Sequence, residues 1–238
     1  MRHFACAAAA ALLALLAGCA STRAAEPRFT VVAVDPARER LQLFLNDEQG
    51  RPYRRLDRLA SALAGRSQRL VFAMNAGMYH ADFSPVGLFV AGGIERSPLN
   101  LAPGKGNFFM RPNGVFLVTD AGAQVVESSE FPALASKARI ATQSGPMLLS
   151  RGMINPLFDP DSHSVHIRNG VCAQNGKAIF VISEEAVNFY SFARYLRDTL
   201  KCRDALYLDG SVSALYSPAL GRNDHRADLG PIIGVVAE

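Results

Sequence analysis

Leu206-Tyr207-Leu208-Asp209-Gly210-Ser211-Val212-Ser213 is the stretch on which the reading of this chain turns. An apolar run of the kind that forms a buried strand ends on a carboxylate. A glycine and two hydroxyls follow at once. A strand end is rigid and holds a carboxylate in one place, and a glycine after it lets the backbone turn sharply or approach a ligand closely. The same residues also fit an ordinary Asp-Gly turn. The rest of the sequence has to separate the two.

Working outward, Asn188 is placed to cap a helix whose Phe189, Phe192, Ala193, Leu196 and Leu200 share one face. That helix is predicted to run to about Lys201 and to feed the strand 205–208. Residues 70–74, 86–91, 115–118, 179–182 and 232–236 are further apolar runs that read as buried strands. Leu56, Leu59, Ala60 and Leu63 recur at helical spacing, and Gly65 ends that helix. Segments 29–34 and 41–45 read as strands, and Asp35-Pro36 between them predicts a hairpin. Strands outnumber helices without alternating strictly with them. This predicts an α/β (α+β) fold, a single mixed-sheet domain over 29–238 and not a doubly wound sheet. Residues 98–113 and 150–170 are long loops rich in Gly, Pro and Asn, the kind of segment that carries binding or catalysis.

The N-terminus sets the compartment. Arg2 precedes an apolar core over 5–17 that is too short to span a bilayer, and Leu16-Ala17-Gly18-Cys19 resembles a bacterial lipobox. The resemblance implies a signal peptide over 1–18, lipidation of Cys19, a tether over 19–28 and a periplasm-facing protein held on the membrane by its acyl chains. Ala20 and Ser21, with no Asp beside the cysteine, favour the outer membrane by resemblance to the bacterial lipoprotein-sorting rule. Removing residues 1–18 from 238 leaves 220, ample for one large core. Only Arg2 is charged in the removed part, so 24 Lys+Arg face 21 Asp+Glu. The densest basic cluster, Arg51, Arg54, Arg55 and Arg58, reads as a solvated face. No basic stripe interleaves with aromatics, which argues against a nucleic-acid partner. With Cys6 removed and Cys19 lipidated, Cys172 and Cys202 are left as a pair in an oxidising compartment, where a disulfide is expected.

Five polar-glycine clusters sit at strand ends or in adjacent loops: Asn75-Ala76-Gly77-Met78-Tyr79, Arg111-Pro112-Asn113-Gly114, Gln143-Ser144-Gly145-Pro146, His166-Ile167-Arg168-Asn169-Gly170, and the opening stretch. Each alone reads as a turn. Together they suggest loops gathered around a polar ligand. With Pro85-Val86-Gly87-Leu88 and Asn113-Gly114-Val115-Phe116, and in this order, they resemble the phosphodiester glycosidase family, from about Gln68 to the C-terminus. The chain departs from the family's more usual pattern at Ala76, at Asn169 and in having only Gly210 before Ser211.

The resemblance implies hydrolysis of the sugar C1–O bond of a sugar-1-phosphodiester through an oxocarbenium-like transition state. Asp209 is the candidate catalytic carboxylate. Arg168 suits the phosphate oxygens, because a guanidinium binds two at once. Asn75, Gly77, Asn113, Gly145, Asn169, Gly210, Ser211 and Ser213 are candidate contacts for sugar hydroxyls or phosphate, so the expected partner is a carbohydrate or sugar-phosphate ligand. No cofactor is called for. Asp159, Asp161, His163 and His166 lie within eight residues and carry metal-ligating groups, with a divalent ion as the alternative to a plain loop. His80, with Asp82 two residues on, reads as a surface-loop residue that a pocket could use as a proton carrier. A non-catalytic glycan-binding or envelope-assembly lipoprotein is the competing expectation.

Overall fold

The structure, a computed structural model, describes residues 27–238. The signal peptide and Cys19 readings lie outside the described residues. Sixteen strands and two α-helices are found among those described. The first five strands are β1 (Phe29–Val34), β2 (Arg40–Phe44), β3 (Arg69–Asn75), β4 (Phe89–Ala91) and β5 (Ile94–Ser97), with α1 (Leu56–Ala64) between β2 and β3. The middle of the chain forms β6 (Gly114–Thr119), β7 (Gly122–Glu127), β8 (Ile140–Ser144), β9 (Met147–Ser150) and β10 (Met153–Ile154). Then come β11 (Asn169–Gln174), β12 (Lys177–Ser183), α2 (Phe189–Arg194), β13 (Ala205–Tyr207), β14 (Leu215–Ser217), β15 (Arg222–Asn223) and β16 (Ile232–Ala237).

The excess of strands over helices agrees with the sequence, and the strands divide among three sheets. Their orders are β1-β12-β11-β13-β9-β10, β15-β14-β3-β16-β2 and β5-β4-β8-β6-β7. One apolar core is common to all three. It takes Phe72 and Met74 from β3, Phe116 and Val118 from β6, Phe180 and Ile182 from β12, and Leu206 with Leu208 from β13 and its extension. The alternate residues of the same strands face outward into smaller cores. Val181, Cys172, Ala205 and Tyr207 lie under Phe192 and Leu196, which follow from the α2 segment. Ala73, Ile232 and Val236 lie under Leu56, Leu59 and Leu63 of α1. Val115, Leu117 and Ala141 pack with Phe131 and Ala138 from short helical turns. Each sheet is covered on both faces, which is why these strands read as continuous apolar runs and not as alternating ones.

The expected hairpin at Asp35-Pro36 does not form. β1 pairs with β12 and β2 pairs with β16, so the two strands belong to different sheets. The amides of Arg38 and Glu39 donate to the Asp35 carbonyl at 2.9 and 2.8 Å, and the Asp35 amide donates to Glu39 Oε2 at 2.7 Å. That is a wide helical turn, which redirects the chain where a two-residue reversal would have folded it back. The helix after Asn188 is as expected at its start: Asn188 Oδ1 accepts from the Ser191 amide at 2.8 Å. Beyond Arg194 it widens into a π-type turn over Tyr195–Thr199.

Cys172 and Cys202 are joined by a disulfide. In the arginine cluster, Arg51 pairs with Asp47, Arg54 with Asp228 and Arg55 with Asp57. Three of the four are thereby neutralised at the surface, as a solvated face requires.

Candidate active site

The five clusters are brought together by backbone hydrogen bonds that radiate from the opening stretch. The Tyr207 amide donates to the Pro146 carbonyl at 3.1 Å, the Leu208 amide to Asn169 at 3.1 Å and the Asp209 amide to Ala76 at 3.1 Å. The second cluster joins through the Met147 amide, which donates to the Pro112 carbonyl at 2.7 Å. Two glycines make the packing tight. A side chain on Gly77 would strike the backbone of Gln143, and one on Gly145 would strike the Phe108 carbonyl and Asn113. Clusters that separately resemble turns thus share one end of the first sheet and the ends of the interior strands β3 and β8 of the other two.

At the centre stands Asp209, half-buried one residue beyond the end of the leucine run. Ser211 donates its hydroxyl to Asp209 Oδ1 at 2.8 Å and is itself exposed. Burial pushes the Asp209 carboxyl above its ordinary value, and the Ser211 bonds offset only part of this. Two phenols feel its charge. Tyr79 is pushed up to about 12, by burial first and by the Asp209 and Asp228 charges after it. Tyr207 is pushed up by burial and by Asp209, against the pull of Arg168. Both phenols stay neutral beside the carboxylate at physiological pH.

Beneath the turn lies a closed amide network. Asn75 Nδ2 donates to the Asp209 carbonyl at 2.6 Å, and Asn75 Oδ1 accepts from the Ala214 amide at 3.0 Å. Asn169 Nδ2 donates to Asn75 Oδ1 at 3.0 Å, and Asn169 Oδ1 accepts from Ser213 Oγ at 2.9 Å. The structure therefore brings Asn75, Asn169 and Ser213 together with Asp209, but their polar atoms bond to each other and to backbone. They hold the Asp209 turn from below.

Arg168 is 1% exposed and is the largest fully buried side chain in the protein's described part. Nε donates to the Val187 carbonyl at 2.8 Å, one terminal nitrogen to Tyr207 Oη at 3.0 Å and the other to the Ser164 carbonyl at 2.8 Å. The Phe189 ring lies 3.8 Å from its guanidinium carbon. No carboxylate partners it among the described residues, and burial lowers its pKa from the ordinary guanidinium value. Arg168 thus meets the site from within the protein, behind Tyr207.

Gly210 marks the point of closest packing. Its φ is not in the left-handed range, so conformational freedom is not what the position asks of it. The Tyr207 hydroxyl fills the place a side chain on Gly210 would take. Gly210→Ala is expected to displace that hydroxyl from Arg168 and to cost about 1–3 kcal/mol of stability by overpacking. Denaturant unfolding of the variant measures the cost, and a variant of wild-type stability would contradict the crowding.

Asn113 donates to the Phe108 carbonyl at 2.9 Å and accepts from Arg111 at 2.9 Å, and so shapes the loop 98–113. Gln143 extends the same frame: its Oε1 accepts from the amides of Leu88 at 3.1 Å and Asn100 at 2.9 Å. Tyr79 forms the rim. Its hydroxyl donates to the Asp228 carbonyl at 2.5 Å, one ring face lies on Gly230, and Phe83 stacks on the other at 5.6 Å. His80 and Asp82 stand exposed on the same turn. Among the described residues no three His, Cys, Asp or Glu side chains gather as a metal site, so Asp159, Asp161, His163 and His166 do not converge.

Sequence reasoning missed Tyr207, Tyr79 and Phe189. For Tyr207 a signal existed: positions 205, 207 and 209 alternate with the inward Leu206 and Leu208, which puts Tyr207 on the same side of the strand as Asp209.

The chain belongs to the phosphodiester glycosidase family, whose model matches residues 68–235. It is 39% identical over 194 residues to the uncharacterized protein YigE of Escherichia coli K12, covering 80% of this chain and 76% of that one. The catalytic domain of zebrafish N-acetylglucosamine-1-phosphodiester alpha-N-acetylglucosaminidase, solved auto-inhibited by its pro-peptide, has the same fold. The match has a TM-score of 0.60 at 12% identity and covers 90% of this chain and 84% of that one. A hypothetical protein from Synechocystis matches with a TM-score of 0.58 at 15% identity, over 88% of this chain and 59% of its own.

Proposed function

We propose that this chain is a lipid-anchored, periplasm-facing hydrolase that cleaves the sugar C1–O bond of a sugar-1-phosphodiester or related envelope glycan, releasing the free sugar and a phosphomonoester. The observation that carries the reading is the meeting of all five polar-glycine clusters on one desolvated carboxylate, Asp209, in a member of the phosphodiester glycosidase family. The lipobox-like Leu16-Ala17-Gly18-Cys19 supports the anchor, and the buried disulfide fits an oxidising compartment. Among the described residues no helix is long and apolar enough to cross a membrane.

Asp209 would lie beside C1, where positive charge develops as the C1–O bond breaks. A carboxylate drawn partly out of water acts on that charge more strongly than a solvated one. The leaving group is a phosphate, with a second pKa of about 6, so it departs without a strong general acid. What it requires is positive charge near its oxygens, which Arg168 supplies from behind Tyr207. Asn75, Asn169 and Ser213 keep the Asp209 turn fixed through the reaction. Ser211, exposed beside Asp209, would face the ligand, while Gly77, Asn113, Gly145 and Gly210 let the surrounding loops pack closely enough to frame it.

A non-catalytic glycan-binding lipoprotein would use the same pocket, and the inward-turned bonds of Asn75, Asn169 and Ser213 suit a rigid binding site equally well. Turnover of an activated sugar-1-phosphodiester in heavy-oxygen water separates the two. The label is expected on sugar C1. Label on the phosphate would mean P–O cleavage and refute the mechanism. Tight binding without turnover across a broad panel would leave the binding protein.

A further inference from the structure

We infer that the Tyr207 hydroxyl is the donor that meets an anionic oxygen of the ligand beside Asp209, and that Arg168 positions and polarises it without touching the ligand itself. The inference takes its location from the proposed hydrolase site, but it concerns anion binding and is tested without turnover.

The guanidinium of Arg168 cannot turn toward a ligand as it stands. All three nitrogens donate to protein acceptors and Phe189 covers one face. A buried cation with no anion opposite it is costly, so its retention calls for a task. Two of its acceptors, the Val187 and Ser164 carbonyls, accept and pass nothing on. The third, Tyr207 Oη, accepts an N–H from Arg168, feels the Gly210 amide as a second donor, and still has its own proton to give. No side chain or backbone group of the described residues takes that proton by a hydrogen bond, although Tyr207 is 2% exposed.

Position makes this donor useful. Tyr207 Oη fits against Gly210, in the space a side chain would otherwise fill, on the same side of the strand as Asp209. The absence of a side chain at Gly210 is what lets the hydroxyl stand directly under the turn. Burial and the Asp209 charge keep the phenol protonated, and a hydroxyl that accepts from a guanidinium is polarised into a stronger donor. Asp209 would repel an anion placed next to it. A cation-backed donor on the same side offsets that repulsion and orients the ligand, with its phosphoryl oxygens toward Tyr207 and the sugar carbon toward Asp209.

Isothermal titration of the whole protein with inorganic phosphate, a sugar 1-phosphate and the matching neutral sugar tests this, using wild type and Tyr207→Phe. Removing one hydroxyl leaves the ring packing in place. Affinity for both anions is expected to fall by about 10–100-fold, the range for a hydrogen bond to a charged group, with the neutral sugar changed by less than about twofold. Unchanged anion affinity overturns the inference, as does an equal loss for the neutral sugar or a wild type that binds neither anion. If the variant does not fold, ring-labelled tyrosine in wild type decides by NMR: the Tyr207 resonance shifts on adding phosphate, or the inference fails. A wild type that turns over no phosphodiester, combined with a selective anion loss in Tyr207→Phe, would sink the hydrolase reading and leave this one standing.

Discussion

Asp209→Asn is expected to lower turnover of a sugar-1-phosphodiester by about 10²–10³-fold, the range for loss of one preorganised electrostatic group, while the protein becomes at least as stable at neutral pH. The first half follows because, among the described residues, no second carboxylate is found with the groups that the turn brings to Asp209. The second half follows from burial. Because the folded state holds the Asp209 proton more tightly than the unfolded chain does, its pKa lies above the ordinary 3.8. The contribution of this group to stability is therefore whole below the unfolded value and is lost as pH rises through the folded one. Asn carries no such charge. The variant should melt above wild type at neutral pH, and the difference should vanish in acid once both side chains are neutral. Activity should move the opposite way in wild type, failing as acid protonates Asp209 at a pH above the ordinary aspartate value of 3.8. Thermal melts across pH, beside initial rates, check both halves. A variant that is inactive and also markedly less stable at neutral pH would mean that the carboxylate is a structural turn acceptor.

This opposition between stability and chemistry is where the sequence was most and least legible. The strands that feed the shared core announce themselves as apolar runs, because both of their faces are covered. The carboxylate at the end of one of them was equally visible. What composition concealed was polar residues inside strands. Thr142, Gln143 and Ser144 close β8 and Asn169 opens β11, and all four are fully buried. Polar residues beside glycine read as turns when the sequence alone is considered. In the fold they are strand ends, and some find their partners only in distant segments, as when Asn169 reaches Asn75 in another sheet, ninety-four positions away. The hairpin at Asp35-Pro36 went wrong for a related reason. A turn dipeptide specifies a local change of direction, whereas the partner of each strand is chosen by distant edges. Arg168 stands out in the sequence as the candidate cation of the fourth cluster. That it would be enclosed by Phe189 and face the site through Tyr207 depends on a helix packing that no local pattern encodes.

Cys172→Ala with Cys202→Ala is expected to lower stability by roughly 3–4 kcal/mol, the loop-closure value for the 30-residue separation of the pair. For a domain of this size that is a fall of roughly 10 °C in melting temperature. The cost arises mainly in the unfolded chain, which regains the freedom the link denies it, since both cysteines are buried and alanine fills most of each site. The link also has a local consequence. Cys172 lies in β11, three residues past Asn169, and Cys202 lies just beyond the helical segment that begins with Phe189. The bond therefore fastens the far end of the segment that begins with Phe189 to the strand that follows Arg168, beside Gln174 Nε2, which donates to the Leu200 carbonyl at 2.5 Å, while the near end is held by Arg168 Nε and the His166 amide on the Val187 carbonyl at 2.8 and 3.1 Å. Loosening it should let the ring withdraw from the guanidinium, so affinity for a sugar 1-phosphate should drop in the double variant even at temperatures where it remains folded. Melting wild type with and without reductant, and titrating the folded double variant, separates the two effects. If reductant left the melting temperature within about 2 °C of the oxidised protein, the loop-entropy account would be wrong for this chain. If the folded variant bound the sugar 1-phosphate as tightly as wild type, Phe189 would be held over Arg168 by packing alone.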